Sequence, residues 1–200
     1  MDLFTIKKCF NCPNRVVDLE KLESRLRQVI IDKDFNSRLA SRVEDEKPLH
    51  HQMFHIALAG CPNSCSQPQI KDFGVQGQMV PEAAGDCKQC EACIETCPEG
   101  AISLGRHGII IDSSKCLNCG MCIRVCPTGS ITGEKAGFRV LAGGKLGRHP
   151  RLAEELISLA GEDQVADALA RSLEFFLQEA KPGERFGSLL ERTGWDKNFK

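Results

Sequence analysis

Cys87-Lys88-Gln89-Cys90-Glu91-Ala92-Cys93-Ile94-Glu95-Thr96-Cys97-Pro98 is answered 29 residues later by Cys116-Leu117-Asn118-Cys119-Gly120-Met121-Cys122-Ile123-Arg124-Val125-Cys126-Pro127. All eight cysteines superpose at that offset, as do Gly100 with Gly129 and Ile102 with Ile131, so the duplication extends past the cysteines themselves. The 200-residue chain holds 12 cysteines in all, three sets of four, at a net charge of −1. That charge argues against nucleic acid or a membrane surface as partner. No apolar run is long enough for a membrane span, and residues 1–8 lack the apolar core of a signal peptide, so the expected location is the cytoplasm.

The spacing Cys-x2-Cys-x2-Cys-x3-Cys-Pro is that of bacterial ferredoxins, written twice. Three thiolates from one tight loop can cap three irons of a cubane while backbone N–H groups reach its sulfides, and the fourth thiolate then comes from the other half. Cys87, Cys90, Cys93 and Cys126 are thus expected to hold one [4Fe–4S] cluster, and Cys97, Cys116, Cys119 and Cys122 a second. Ile94, Ile102, Ile111, Ile123 and Ile131 are placed to keep water away from both. Zinc has no use for the third cysteine or the Cys-Pro pair. Disulfides call for an oxidising compartment, for which the sequence carries no export signal.

On either side the patterning is that of a globular α+β domain. Asp18 reads as the cap of a helix whose Leu19, Leu22, Leu26, Val29 and Ile30 share one face. A second short helix through Phe35, Leu39 and Val43 is ended by Pro48. Met53-Phe54-His55-Ile56-Ala57-Leu58-Ala59 reads as a buried strand that turns sharply at Gly60-Cys61-Pro62, with a helix start expected after the turn. Residues 73–80 read as another strand and residues 81–85 as a linker. Beyond the repeat, 137–144 is expected to be a strand, followed by a basic cluster of Lys145, Arg148, His149 and Arg151. Residues 151–160 and 163–180 are expected to be helices, with a last short helix over 188–192 closed by Gly194.

Cys9, Cys12, Cys61 and Cys65 remain, and any site they share must be assembled by the fold. The stretch Ile56-Ala57-Leu58-Ala59-Gly60-Cys61-Pro62-Asn63-Ser64-Cys65 resembles the second half of the siroheme and [4Fe–4S] signature of the nitrite and sulfite reductase family. The likeness continues at Asp72-Phe73-Gly74-Val75-Gln76-Gly77, Gly143-Gly144-Lys145-Leu146-Gly147-Arg148-His149-Pro150 and Gly183-Glu184-Arg185. In layout the chain is similar to the ferredoxin-containing C-subunit branch of anaerobic sulfite reductases, shortened ahead of Cys9. The resemblance implies a third [4Fe–4S] cluster on Cys9, Cys12, Cys61 and Cys65. It further implies that Cys65, with Asn63 beside it, bridges to siroheme, whose carboxylates would meet Arg139, Lys145, Arg148 and Arg151. A solvated basic face is the alternative for those cations, and structural zinc the alternative for the four cysteines.

The sequence departs from the family in three places. The opening pair is Cys-x2-Cys rather than Cys-x5-Cys, Met53 and His55 stand where the family has substrate-binding lysines, and the family's front half-domain has no counterpart before Cys9. Two functions therefore stand side by side. One is a siroheme-dependent reductase of a small inorganic anion, sulfite or nitrite, completed by a partner subunit or a second copy. The other is an electron-transfer protein on the same scaffold without siroheme, serving a redox partner protein. The expected architecture is a sulfite-reductase-like mixed sheet with packed helices, formed by residues 1–85 and 133–200, and a two-cluster ferredoxin domain inserted over 86–132.

Overall fold

The structure, a computed structural model, describes residues 2–10, 12–43 and 48–194. In chain order its elements are β1 (Phe4–Lys8), α1 (Glu20–Asp32), α2 (Phe35–Ala40), β2 (Phe54–Ala59), β3 (Phe73–Ala83), α3 (Ala92–Thr96), β4 (Ile102–Gly105), β5 (Gly108–Ile111), α4 (Met121–Val125), β6 (Ile131–Ala142), β7 (Glu154–Ala160), α5 (Glu162–Glu179) and α6 (Phe186–Thr193). Five strands form one mixed sheet in the order β1-β2-β3-β6-β7, with β1, β2 and β3 parallel and β6 and β7 antiparallel to their neighbours.

Alternation along the strands decides which face is covered by helices. Phe54, Ile56 and Leu58 of β2, Phe73 and Val75 of β3, and Phe138 and Val140 of β6 point to one side. There they meet Leu22, Leu26 and Ile30 of α1, Phe35 and Leu39 of α2, Val165, Leu169 and Leu173 of α5, and Leu189 and Leu190 of α6. The opposite face carries Gly74, Gln76 and Gln78, and the irregular segment between β2 and β3 lies over it. A Cβ on Gly74 would collide with the Pro68 carbonyl, and the Gln76 side-chain amide donates to Ser64 Oγ. Glycine at 74 is therefore what lets the segment lie flat.

Four local expectations are corrected. Residues 154–160 are a strand and not part of a helix: Ala, Glu and Leu favour helix only weakly, whereas β6 offers a free edge whose N–H and C=O groups need partners. No helix starts after Cys61, because Ser64 and Gln67 take positive φ and only a 3-10 turn, Pro68–Ile70, forms before β3. Residues 81–83 continue β3 rather than forming a linker, and the register shift at Pro81 accommodates the missing donor. Leu19, not Asp18, is the residue before α1, although Asp18 Oδ1 does accept from the Glu20 amide at 2.9 Å. In addition, β1 is a strand that the helix and turn signals gave no reason to expect. The charged tail expected to lead α2 up to Pro48 includes residues 44–47, which lie outside the described residues.

Candidate metal centre

Between β3 and β6 the chain leaves the sheet and returns to it at the same place, with the Ala84 amide bonded to the Ser130 carbonyl at 2.8 Å. The excursion contains α3, the β4–β5 hairpin and α4, and packs its own apolar cluster of Cys93, Ile102, Cys122 and Ile131 with Ile94, Ile109, Ile111 and Ile123 against them. The sequence repeat is a structural repeat. Gln89 and Asn118 take positive φ of 54° and 56°, Glu91 and Gly120 of 60° and 68°, and Gly100 and Gly129 of 58° and 67°. Such left-handed residues curl successive N–H groups inward, the geometry that receives anions. Accordingly the Gln89 amide donates to Cys87 Sγ at 3.3 Å and the Asn118 amide to Cys116 Sγ at 3.4 Å.

The thiols are grouped across the two halves. A cavity of about 370 Å³ is lined by Cys97 from the first half and Cys116, Cys119 and Cys122 from the second. Its wall also includes Pro62 and Asn63. Burial, and then the nearby thiols of Cys119 and Cys116, push the Cys122 thiol up to about 11. Cys93 is raised by burial, with Cys126 and Cys87 adding to the rise.

The remaining four cysteines are brought together by the sheet. β1 and β2 run parallel with Lys8 level with Leu58, so Cys9 and Cys61 emerge from the same end of adjacent strands. The Cys9 amide donates to the Leu58 carbonyl at 3.0 Å, and the Gly60 amide donates to Cys9 Sγ at 3.2 Å. Val16 then donates to the Gly60 carbonyl at 2.8 Å, folding the loop that carries Cys12 back toward Cys61. Burial raises the Cys61 thiol, and Cys12, Cys65 and Cys9 raise it further. Cys65 is the exposed thiol of this quartet, and the Asn63 amide donates to its Sγ at 3.1 Å. Among the described residues, no three of His, Cys, Asp or Glu are drawn in tightly enough to hold a single metal ion.

Three of the four cations of the sequence reading pair with carboxylates of the chain. Lys145 and Arg151 meet at Glu191, whose carboxylate lies 2.6 Å from Lys145 Nζ and 3.7 Å from Arg151 Nε, with Ser188 Oγ 2.9 Å from Lys145 Nζ. Arg139 pairs with Glu155 across β6 and β7, while Arg148 is exposed on the loop after Gly147. Of the four, Arg139 stands nearest the quartet by register, since its partner in β3 is Gln76, the residue bonded to Ser64.

His55 is buried and fully bonded. Its Nε2–H donates to the His50 carbonyl at 2.7 Å, an acceptor-only group, which leaves Nδ1 to accept from the Thr5 hydroxyl at 2.8 Å. Sequence reasoning missed the rest of this network. The His55 amide donates to Asp72 at 2.9 Å, and Arg185 lies 3.5 Å from the other oxygen of that carboxylate. The signal was present, since Asp72 and Arg185 both stand in the stretches that carry the family likeness.

Burial raises Asp72 from 3.8 to about 6 against the pull of Arg185, and burial lowers His55 from 6.5 to about 4. The Asp72 contribution to stability is therefore fully present below pH 3.8 and lost as pH rises through about 6. The His55 contribution is present above pH 6.5 and lost as pH falls through about 4. The two oppose each other over one window. Asp72→Asn removes the first, so on acidification from pH 7 to pH 4 its unfolding free energy is expected to fall about 2 kcal/mol further than that of the wild type. Urea unfolding across this range measures it, and parallel profiles would contradict it.

The model of the family described as "Nitrite and sulphite reductase 4Fe-4S domain" matches residues 9–200. The chain is 36% identical over 167 residues to a coenzyme F420-dependent sulfite reductase of Methanocaldococcus jannaschii, a match covering 80% of this chain and 27% of that protein. It thus spans about a quarter of the relative's length. In fold it is similar to the crystal structure of dissimilatory sulfite reductase I, with a TM-score of 0.66 and 21% identity over 96% of this chain and 50% of that one. It is also similar to the Mycobacterium tuberculosis NirA protein, with a TM-score of 0.53 and 21% identity over 98% of this chain and 26% of that one.

Proposed function

Since the chain belongs to the nitrite and sulfite reductase 4Fe-4S domain family, we propose that it is an electron-transfer component of sulfite or nitrite reduction that holds three [4Fe–4S] clusters. Two sit in a ferredoxin domain over 86–132, and the third in the reductase domain formed by 1–85 and 133–200. The observation that carries this reading is the cavity of about 370 Å³ walled by Cys97, Cys116, Cys119 and Cys122 and bordered by Pro62 and Asn63 of the next cysteine loop. Four thiols from both halves of the repeat around one void suit a cubane, and a wall shared with Pro62 and Asn63 supports a third cluster next to the second. Cys87, Cys90, Cys93 and Cys126 would hold the outer cluster, and Cys9, Cys12, Cys61 and Cys65 the inner one.

When bound, the clusters supply one-electron carriers between a redox partner protein and the reductase centre. The chain's own residues set their environment. The amides of Gln89, Asn118 and Gly60 and the side chain of Asn63 donate to cysteine sulfurs, which stabilises the more negative, reduced state. The isoleucines around Cys93 and Cys122 exclude water. Such thiol chemistry suits the reducing cytoplasm.

The exposure of Cys65 favours siroheme as the next group, because the other three thiols of its quartet are covered to a greater degree. The pairing of Lys145 and Arg151 with Glu191 favours the other reading, a carrier without siroheme, because those charges are already met within the chain. Anaerobic purification followed by iron, zinc and siroheme analysis decides between them. About twelve irons per chain are expected, four for each of three cubanes. Sharp tetrapyrrole bands would make the chain a siroheme reductase component, and broad cluster absorption alone would make it a carrier. About eight irons would remove the third cluster from the account.

A further inference from the structure

Two residues from both Cys122 and Cys126, the exposed side chain of Arg124 reaches out of the inserted lobe. Its Nη1 donates to the Pro13 carbonyl at 2.5 Å and its Nη2 to the Arg15 carbonyl at 2.7 Å. Those carbonyls belong to the loop that follows Cys12, whose Val16 amide is bonded to the Gly60 carbonyl next to Cys61. One line of hydrogen bonds thus runs from the helix carrying Cys122, through the loop carrying Cys12, to the turn carrying Cys61. Beside it the two bodies are in close contact. A Cβ on Gly120 would come within 3.3 Å of Met79 and 3.4 Å of Val16, and the Met79 amide donates to the Asn118 carbonyl at 2.8 Å.

The repeat provides an internal control. The residue 29 positions before Arg124 is Glu95, exposed on α3, so a half of the lobe folds without an arginine there. The fork is found only in the half that faces the sheet. A planar guanidinium spans two carbonyls at once, which a lysine ammonium does on a single point.

We propose that Arg124 is a positioning residue that clamps the Cys12 loop to the second half of the lobe and so fixes the separation between the second and third cysteine quartets. This rests on the third quartet holding a cluster, and the test separates the two claims. Hydrogen exchange is measured on the iron-loaded full chain and its Arg124→Gln, Arg124→Lys and Glu95→Gln variants, together with low-temperature electron paramagnetic resonance after dithionite reduction. In Arg124→Gln the Val16 and Val17 amides are expected to exchange about tenfold faster or more, and the spin–spin splitting between the third cluster and its neighbour to weaken. Arg124→Lys should lie between it and the wild type, and Glu95→Gln should match the wild type. If Arg124→Gln binds less iron, Arg124→Lys carries the comparison. Unchanged exchange overturns the proposal, and so does a lower melting temperature with wild-type splitting, the mark of an arginine that merely stabilises. A wild type lacking the third cluster would defeat the functional reading, while the exchange data would still judge the clamp.

Discussion

Cys65→Ser is expected to lower bound iron from about twelve to about eight per chain while leaving the two-cluster spectrum of the inserted lobe intact. The reason lies in how differently the quartets are built. The eight cysteines of the repeat are held within one lobe that packs its own isoleucine core and joins the sheet through its two ends and through contacts that include Gln78, Met79 and Arg124. Cys9, Cys12, Cys61 and Cys65 are instead held by the register of β1 on β2 and by the Gly60 turn. A serine hydroxyl in place of the exposed Cys65 thiol takes one sulfur from that quartet and leaves the eight of the lobe in place. Iron analysis and the visible spectrum report the result. Loss of all clusters together would mean that the sites are not separate.

Phe54→Ala is expected to have the largest effect on the fold, about 3–5 kcal/mol of destabilisation. Phe54 opens β2 and is 1% exposed. Its ring lies 5.6 Å from Phe35 of α2, 5.6 Å from Phe176 of α5 and 5.3 Å from Phe186 of α6, so three helices register on one side chain. Removing it leaves a void where those helices converge, in a protein whose whole stability is expected to be about 5–15 kcal/mol. The midpoint of urea unfolding should fall with an unchanged slope. A loss below about 1 kcal/mol would show that the helices are anchored elsewhere.

The duplicated cysteine loops were legible because the motif is local: spacing, Cys-Pro punctuation and an exact offset are all written in consecutive residues. The core was legible where period and length agreed, as in α5, where Val165, Leu169 and Leu173 recur at four-residue spacing and are all buried. Residues 154–160 were not, because Glu154, Glu155, Leu156 and Ala160 suit a helix, and only the vacant edge of β6 makes them a strand. β1 did carry a signal in Phe4-Thr5-Ile6-Lys7, strict alternation over four residues, but so short a run decides nothing until β2 lies beside it. The contacts of Arg124, and the pairing of the His55–Asp72–Arg185 network, whose Asp72 and Arg185 lie in the family stretches, were not read from the sequence for a common reason. Each joins residues far apart in the chain, and in each the decisive partner includes a backbone group that every residue possesses.

The pairing of β3 with β6 from Phe73 with Ala142 to Ala83 with Ile131, interrupted by one register shift at Pro81, means that the chain departs for the lobe and comes back along two adjoining rails. A unit mounted in this way has neighbouring ends, and closing them with a short hairpin would leave every other strand partner where it was. The sheet is in effect a socket. Gain, loss or exchange of a module there would not ask the scaffold to be rebuilt.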